Sequence, residues 1–155
     1  MLVGLISDTH GQLRREVFDR FAGVDRILHA GDIGRAELLV ELEAIAPVIA
    51  VWGNTDGFDV RSRVPEMAET VLEGWRIRVL HGHQLGSPRP GALREAHPDA
   101  DVIVYGHTHR ASVDRADGRL VVNPGAAGPA RFRLPPSVAL MTVERGAVDV
   151  RIVAL

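Results

Sequence analysis

Five short β-type runs in this chain each stop at a polar cluster, and in the first half they alternate with helical patterns. Residues 2–6 run into Asp8-Thr9-His10, 27–30 into Gly31-Asp32, and 48–52 into Gly53-Asn54. Residues 75–80 run into His81-Gly82-His83, and 102–105 into Gly106-His107-Thr108-His109. Between the first runs, Leu13, Val17, Phe18 and Phe21 share a helical face. Residues 36–45 carry Leu38, Leu39, Leu42 and Ile45 at the same kind of spacing and stop before Pro47. Strand and helix alternation of this kind predicts parallel strands built from βαβ units.

The second half reads differently. Residues 70–72 and 75–80 flank Glu73-Gly74, where Trp75, Ile77 and Val79 alternate with Arg76 and Arg78, a hairpin pattern. A short helix is expected over 93–97. Two further hairpins turn at Asp117-Gly118 and at Arg145-Gly146, the last joining 138–143 to 148–153. An α/β half followed by an antiparallel half implies an α/β fold of two facing mixed β-sheets flanked by helices. Residues 1–155 are expected to form a single domain, a length that buries roughly 68–70% of its unfolded surface. The least regular stretches are 84–91 and 123–136.

Composition removes several classes of function. There is no cysteine, so disulfides and thiolate metal sites are excluded. All 18 basic residues are arginine, the formal charge is −2 and aromatics make up only 5%, which is not the footprint of a nucleic-acid binder. No run approaches the roughly 18 apolar residues of a membrane span. Residues 1–8 lack the basic start and long apolar core of a signal peptide, so a cytoplasmic location is expected.

Taken singly, each polar cluster has a simple structural role. Asp8 suits a helix N-cap, Asp32 and Asn54 suit turns, and a lone histidine is usually structural. Taken together they read otherwise, because ligand crevices in α/β sheets lie at the carboxyl ends of strands. Asp8, His10, Asp32, Asn54, His81, His107 and His109 supply seven oxygen and imidazole side chains. A bridging Asp32 adds an eighth ligand position, enough for two divalent metals. Mixed ligation without sulfur suits Mn²⁺, Fe, Co²⁺, Ni²⁺ or Zn²⁺ better than Ca²⁺ or Mg²⁺. Two such ions with two aspartates and one hydroxide leave a net positive site, which attracts phosphate. The glycines before Asp32, Asn54 and His107 are expected to let the backbone approach a bound ion.

The motifs Asp8-x-His10, Gly31-Asp32, Gly53-Asn54, His81 and Gly106-His107-x-His109 resemble those of the calcineurin-like metallophosphoesterases. The short length, the HGH triplet and Asn123-Pro124-Gly125 are most similar to the small YfcE-like phosphodiesterases. That resemblance implies a metal-dependent phosphodiesterase acting on a small phosphoester through two metal ions, Mn²⁺ first among them. Asp8, His10, Asp32 and His109 would hold one ion, and Asp32, Asn54, His81 and His107 the other. A bridging hydroxide acidified by both ions would attack phosphorus in line. His81 is taken as the ligand of the HGH triplet and His83 as a substrate contact. His29 and His97 are read as structural.

One position departs from the family. Many members carry histidine after the asparagine, and the YfcE-like branch commonly carries cysteine, where this chain has Thr55. A threonine hydroxyl is a poor acid near neutral pH. The expectation is an enzyme without a strong general acid, with Asp56 or His83 as substitutes. Arg89, Arg131 and Arg133 either contact the far side of a phosphate or are solvated surface. Two other functions compete: a non-catalytic protein-binding scaffold of the retromer-subunit type, and a phosphomonoesterase or nucleotidase on the same metals. The strand at 148–153 offers an edge for homo-oligomer contacts.

Overall fold

The computed structural model describes residues 1–155. Its first segment alternates β1 (Leu2–Ile6), α1 (Arg15–Arg20), β2 (Arg26–His29), α2 (Glu37–Glu43) and β3 (Val48–Ala50), closed by the one-turn helix α3 (Phe58–Arg61). There follow β4 (Met67–Leu72), β5 (Trp75–Leu80), a 3-10 turn at His83–Leu85 and α4 (Pro90–Ala96). The remainder is β6 (Val102–Val104), β7 (Ser112–Ala116), β8 (Arg119–Asn123), β9 (Ser137–Glu144) and β10 (Ala147–Ala154). The strands form two five-stranded sheets, ordered β10-β9-β1-β2-β3 and β4-β5-β6-β8-β7.

Side chains alternate across each strand, and this sorts the apolar residues into three layers of core. Val3 and Leu5 of β1 and Leu28 of β2 face Ile77, Val79, Val102 and Val104 between the sheets. Ile6 and Ile27 point the other way, where Val17 and Phe21 of α1 and Leu38 and Leu42 of α2 cover them. On the far face of the second sheet, Leu93 of α4 packs with Ile103, Tyr105 and Val121. Each of these larger side chains contributes about 1.5–3 kcal/mol by leaving water. The two facing mixed sheets and flanking helices are those expected.

The antiparallel second half is not. β5 pairs with β6, and β6 with β8, in parallel. The 145–146 hairpin leaves that sheet altogether, and β9 runs antiparallel beside β1. The reason lies in Val138, Ala139, Leu140 and Met141, which are buried in succession. A strand apolar on both faces needs cover on both, which an interior place in a helix-backed sheet provides.

The pairing has one consequence for the site. β1, β2 and β3 are parallel, so the segments that follow them leave the first sheet at one edge. Those following β5 and β6 leave the second sheet together in the same way.

Candidate metal centre

The rim is built from backbone conformations that most side chains avoid. Asp8, His10, Asp32, His107 and His109 all have positive φ, between 45° and 73°. Such residues are uncommon outside glycine, and asparagine, aspartate and histidine are the types that tolerate the left-handed region best. A left-handed residue cannot continue a strand, so each ends the extended run and turns its side chain inward. The loops then tie to one another. Asp8 N–H donates to Gly31 O at 3.0 Å, His10 N–H to Asp32 O at 2.9 Å, and Gly106 N–H to His81 O at 3.0 Å.

Within this frame the functional atoms converge. Asp8 Oδ1 lies 3.2 Å from His109 Nε2 and 3.8 Å from both His10 Nε2 and His81 Nε2. Asp32 Oδ2 lies 3.2 Å from His81 Nε2 and 3.7 Å from His10 Nε2. His10 and His109 bring their Nε2 atoms within 3.4 Å of each other. Two groups emerge, Asp8 with His10 and His109, and Asp8 with Asp32 and His81. Nitrogens bound tetrahedrally at 2.0–2.1 Å to one zinc-sized ion stand about 3.3–3.4 Å apart, the spacing found here.

Polar satisfaction points the same way. Five buried side-chain polar atoms lack a hydrogen bond; Asp8 Oδ1 and His81 Nε2 lie in the cluster itself, while His109 contributes Nδ1, the ring nitrogen other than the Nε2 that faces Asp8. Buried orphans of this kind are costly, and clustering at one place marks a missing partner. The other atoms of the same side chains are well held. Asp8 Oδ2 accepts from Ser7 Oγ at 2.8 Å and from His107 N–H at 3.1 Å, leaving Oδ1 free. His81 Nδ1 donates to Ala30 O at 2.8 Å, which puts the lone pair of a neutral ring on Nε2, facing the two aspartates. A backbone carbonyl that fixes a ligating histidine's tautomer is a common support in metal sites. The donor set therefore fits divalent cations.

Charge follows the same geometry. Burial alone would raise Asp32, but the His81 imidazole and Thr55 outweigh it and hold the carboxyl well below its usual range. Burial would lower His81, yet Asp32 and Asp8 reverse this and its pKa rises. Each of these two side chains thus favours the charged form of the other. Burial lowers His10, with the nearby Arg131 charge adding to it, and burial also lowers His107 and His83.

The glycines before the ligands are tightly surrounded. A Cβ on Gly31 would stand 2.8 Å from His81 Nδ1, one on Gly53 2.2 Å from Asp32 Oδ1, and one on Gly106 2.0 Å from Ser7 Oγ. They make room for the side chains of other loops, those of His81 and Asp32 among them.

The remaining predicted residues fall into place unevenly. His107 is half-buried, its ring 5.1 Å from that of His81. Asn54 stands on the rim with an exposed side chain that makes no hydrogen bond, while Thr55 N–H donates to Asp32 Oδ1 at 3.0 Å. His83 sits between Trp52, at 5.6 Å ring to ring, and Glu66, at 3.7 Å. Asp56 is no substitute acid. It is buried, and its two oxygens accept N–H groups from Ile33, Gly34 and Gly53, tying the segment after β2 to that after β3.

His29 is structural, as read, and its role is specific. Gly31 N–H donates to its Nδ1, its Nε2 meets Thr9 Oγ1 at 3.0 Å, and Thr9 donates onward to Ile33 O. Burial drives its pKa down to about 3, so the ring is neutral. His97 caps α4 and meets Arg78 at 3.1 Å.

Sequence reasoning missed Ser7, which steers Asp8, and gave no role to Asn123. The Asn123 amide donates to Gly106 O and Thr108 Oγ1 and so holds the loop of His107 and His109. It also missed Arg110, although that residue follows His109 directly. Arg110 and Arg89 line a cavity of about 560 Å³ that has His107 in its wall.

Residues 1–146 match the model of the calcineurin-like phosphoesterase superfamily domain. The chain belongs to this superfamily. A probable metallophosphoesterase of Methanothermobacter thermautotrophicus is 35% identical, over 99% of this chain and 92% of its own. A solved archaeal phosphodiesterase superposes with a TM-score of 0.79 at 25% identity, covering 99% of this chain and 100% of its own. Vps29 of Entamoeba histolytica, solved with Zn²⁺, shares the fold at a TM-score of 0.80 and 24% identity, with 99% of each chain covered. Membership implies divalent metal ions, and the two groups of aspartate and histidine are candidates to hold them. No helix is long and apolar enough to cross a membrane.

Proposed function

We propose that this protein is a phosphodiesterase with two metal ions at the strand-end rim, hydrolysing a small phosphoester. The convergence of ligand atoms from Asp8, His81 and His109, with Asp8 Oδ1 and His81 Nε2 buried and unpartnered, carries this reading. Asp8, His10 and His109 would hold one ion with Asp32. Asp32, Asn54, His81 and His107 would hold the other, so that Asp32 bridges. Mn²⁺ is the first candidate, with Fe, Ni²⁺, Co²⁺ and Zn²⁺ behind it. Divalent cations at such a rim supply the Lewis acidity that activates water and offsets charge on the phosphoryl oxygens.

The chain's own residues do the rest. Ser7 and the His107 N–H orient the Asp8 carboxylate, Thr55 N–H orients Asp32, and the Ala30 carbonyl orients His81. His83, half-buried beside His81, Trp52 and Glu66, would contact substrate. Thr55 offers no strong acid to the leaving oxygen, so substrates with good leaving groups are favoured.

The likeness to Vps29 favours a second reading, a non-catalytic scaffold. Metal binding does not separate the two, since that Vps29 was solved with zinc. Turnover does. Chelator-treated protein reloaded with Mn²⁺ should hydrolyse bis(p-nitrophenyl) phosphate, and faster than p-nitrophenyl phosphate. Failure to turn over either ester would leave the scaffold reading standing; the reverse preference would make it a phosphomonoesterase.

A further inference from the structure

The cavity beside His107 is lined by two arginines that have no partner in the protein. Several arginines elsewhere are partnered: Arg35 pairs with Glu41, Arg78 with Glu69 and Asp99, Arg94 with Asp114, and Arg115 with Asp149. Arg14, Arg20 and Arg119 donate to backbone carbonyls. The guanidinium groups of Arg89 and Arg110 do neither, yet both line one cavity, and no carboxylate lines it with them. Two like charges facing one space repel, and an anion placed between them turns that repulsion into attraction. The planar guanidinium fork matches phosphate oxygens, and Ser87 and Thr108 on the same walls add polar groups.

The cavity also adjoins the candidate metal centre. His107 forms part of its wall, and Phe132 lines it while its ring stands 5.8 Å from that of His109. Phe132 is 75% exposed with a left-handed backbone, φ 57°, so a large apolar surface is held open to solvent next to the candidate ligands. About 560 Å³ is the size of a small-molecule site.

We propose that this cavity is a second anion subsite, in which Arg89 and Arg110 hold a phosphate group of the substrate other than the scissile one. The proposal deepens the phosphodiesterase reading and rests on it for the position of the scissile phosphate. The substrate class is then small organic molecules carrying two phosphoryl groups. The ester to be cleaved lies at the metal rim, the second phosphate between the two arginines, and the organic spacer against Phe132.

The test compares two diesters with the same scissile bond and leaving group. They are the p-nitrophenyl ester of thymidine 5′-phosphate and the same compound with a 3′-phosphate, assayed with the Mn²⁺-loaded full chain. The 3′-phosphorylated ester is expected to show a kcat/KM about tenfold higher, the scale of one or two solvent-exposed charge-assisted contacts. In R89Q/R110Q the ratio falls to near one, while R115Q, whose partner is Asp149, keeps it. Calorimetry supplies a readout independent of turnover: thymidine 3′,5′-bisphosphate should bind about tenfold tighter than thymidine 5′-monophosphate. Equal kcat/KM and equal affinity in the wild-type protein overturn the subsite. So does a preference that survives R89Q/R110Q. If neither ester is hydrolysed but the bisphosphate still binds tighter through the two arginines, the phosphodiesterase reading falls and the subsite stands.

Discussion

Two sets of residues share the left-handed backbone, for opposite reasons. Glu73 and Asp117, at φ 50° and 54°, sit at hairpin tips, each followed by a left-handed glycine. Two-residue hairpins demand that geometry, because its twist matches the strands it joins. Asp8, His10, Asp32, His107 and His109 lie in no hairpin. Their conformation is imposed by hydrogen bonds between loops that are up to about a hundred residues apart in the chain, such as that from His107 N–H to Asp8 Oδ2. Strain of order 1–3 kcal/mol per residue persists only where the surroundings over-determine it. At the hairpins the cause is local and the residue replaceable; at the rim it is tertiary and the residue is not.

That contrast can be broken most sharply at Asp32. Asp32→Ala should lower kcat by at least about 10³-fold, judged by the scale of lost electrostatic catalysis, and elemental analysis should find the paired metal gone. Asp117→Asn, which keeps the left-handed tip, should change neither. An active Asp32→Ala protein with two ions per chain would remove the bridge from the proposal.

The next pair concerns glycine. A methyl on Gly53 meets the Asp32 backbone N at 2.5 Å, which cannot swing aside, whereas one on Gly118 meets nothing within 4 Å. Gly53→Ala should cost about 2–4 kcal/mol of unfolding free energy and most of the metal. Gly118→Ala should cost about 1 kcal/mol, through its positive φ alone, and leave activity intact. Urea titration with metal analysis distinguishes them.

His29 sharpens the comparison through pH. Its ring stays neutral in the folded protein down to about pH 3, while in the unfolded chain it takes a proton near 6.5. Below 6.5 the unfolded state therefore binds the extra proton, and stability falls as pH drops towards 3. Measured in chelator, wild type should lose on the order of a few kcal/mol more across that window than His29→Gln. Equal slopes would show that the chain from Gly31 through His29 to Thr9 does not depend on a neutral ring.

The smallest effect is expected at Thr55. An installed histidine lacks the surroundings that would orient it, so Thr55→His should gain only about tenfold, below the full range for general acid help. The gain should fall on alkyl rather than aryl leaving groups. An unchanged dependence on leaving-group pKa argues that proton delivery comes from elsewhere.

Much of this was legible in the sequence. Apolar periodicity gave β1, α1, β2 and α2 to within a few residues, and the five polar clusters stood at strand ends as read. What escaped was set by partners distant in the chain. α3 is a single turn, too short for any period to register. Asp56 looks like a turn residue, and only the approach of two loops shows it accepting three N–H groups. The place of β9 was written in its unbroken apolar run, which signals an interior strand but does not name the neighbour. Arg110 carried no signal beyond its position, because only the folded chain sets it across a cavity from Arg89.

The seating of β1 between β2 and β9 bears on how the protein is made. The loop carrying Asp8 leaves the ribosome early, but one side of its strand waits for Ser137–Glu144. Ala127 and Gly128, whose N–H groups clasp Ser7 and Asp8, also arrive late. At roughly 5–20 residues per second the interval after β2 is on the order of ten seconds. Throughout it, half the rim is exposed as nascent chain, and a growing polypeptide cannot close around its ions until synthesis has passed the second sheet.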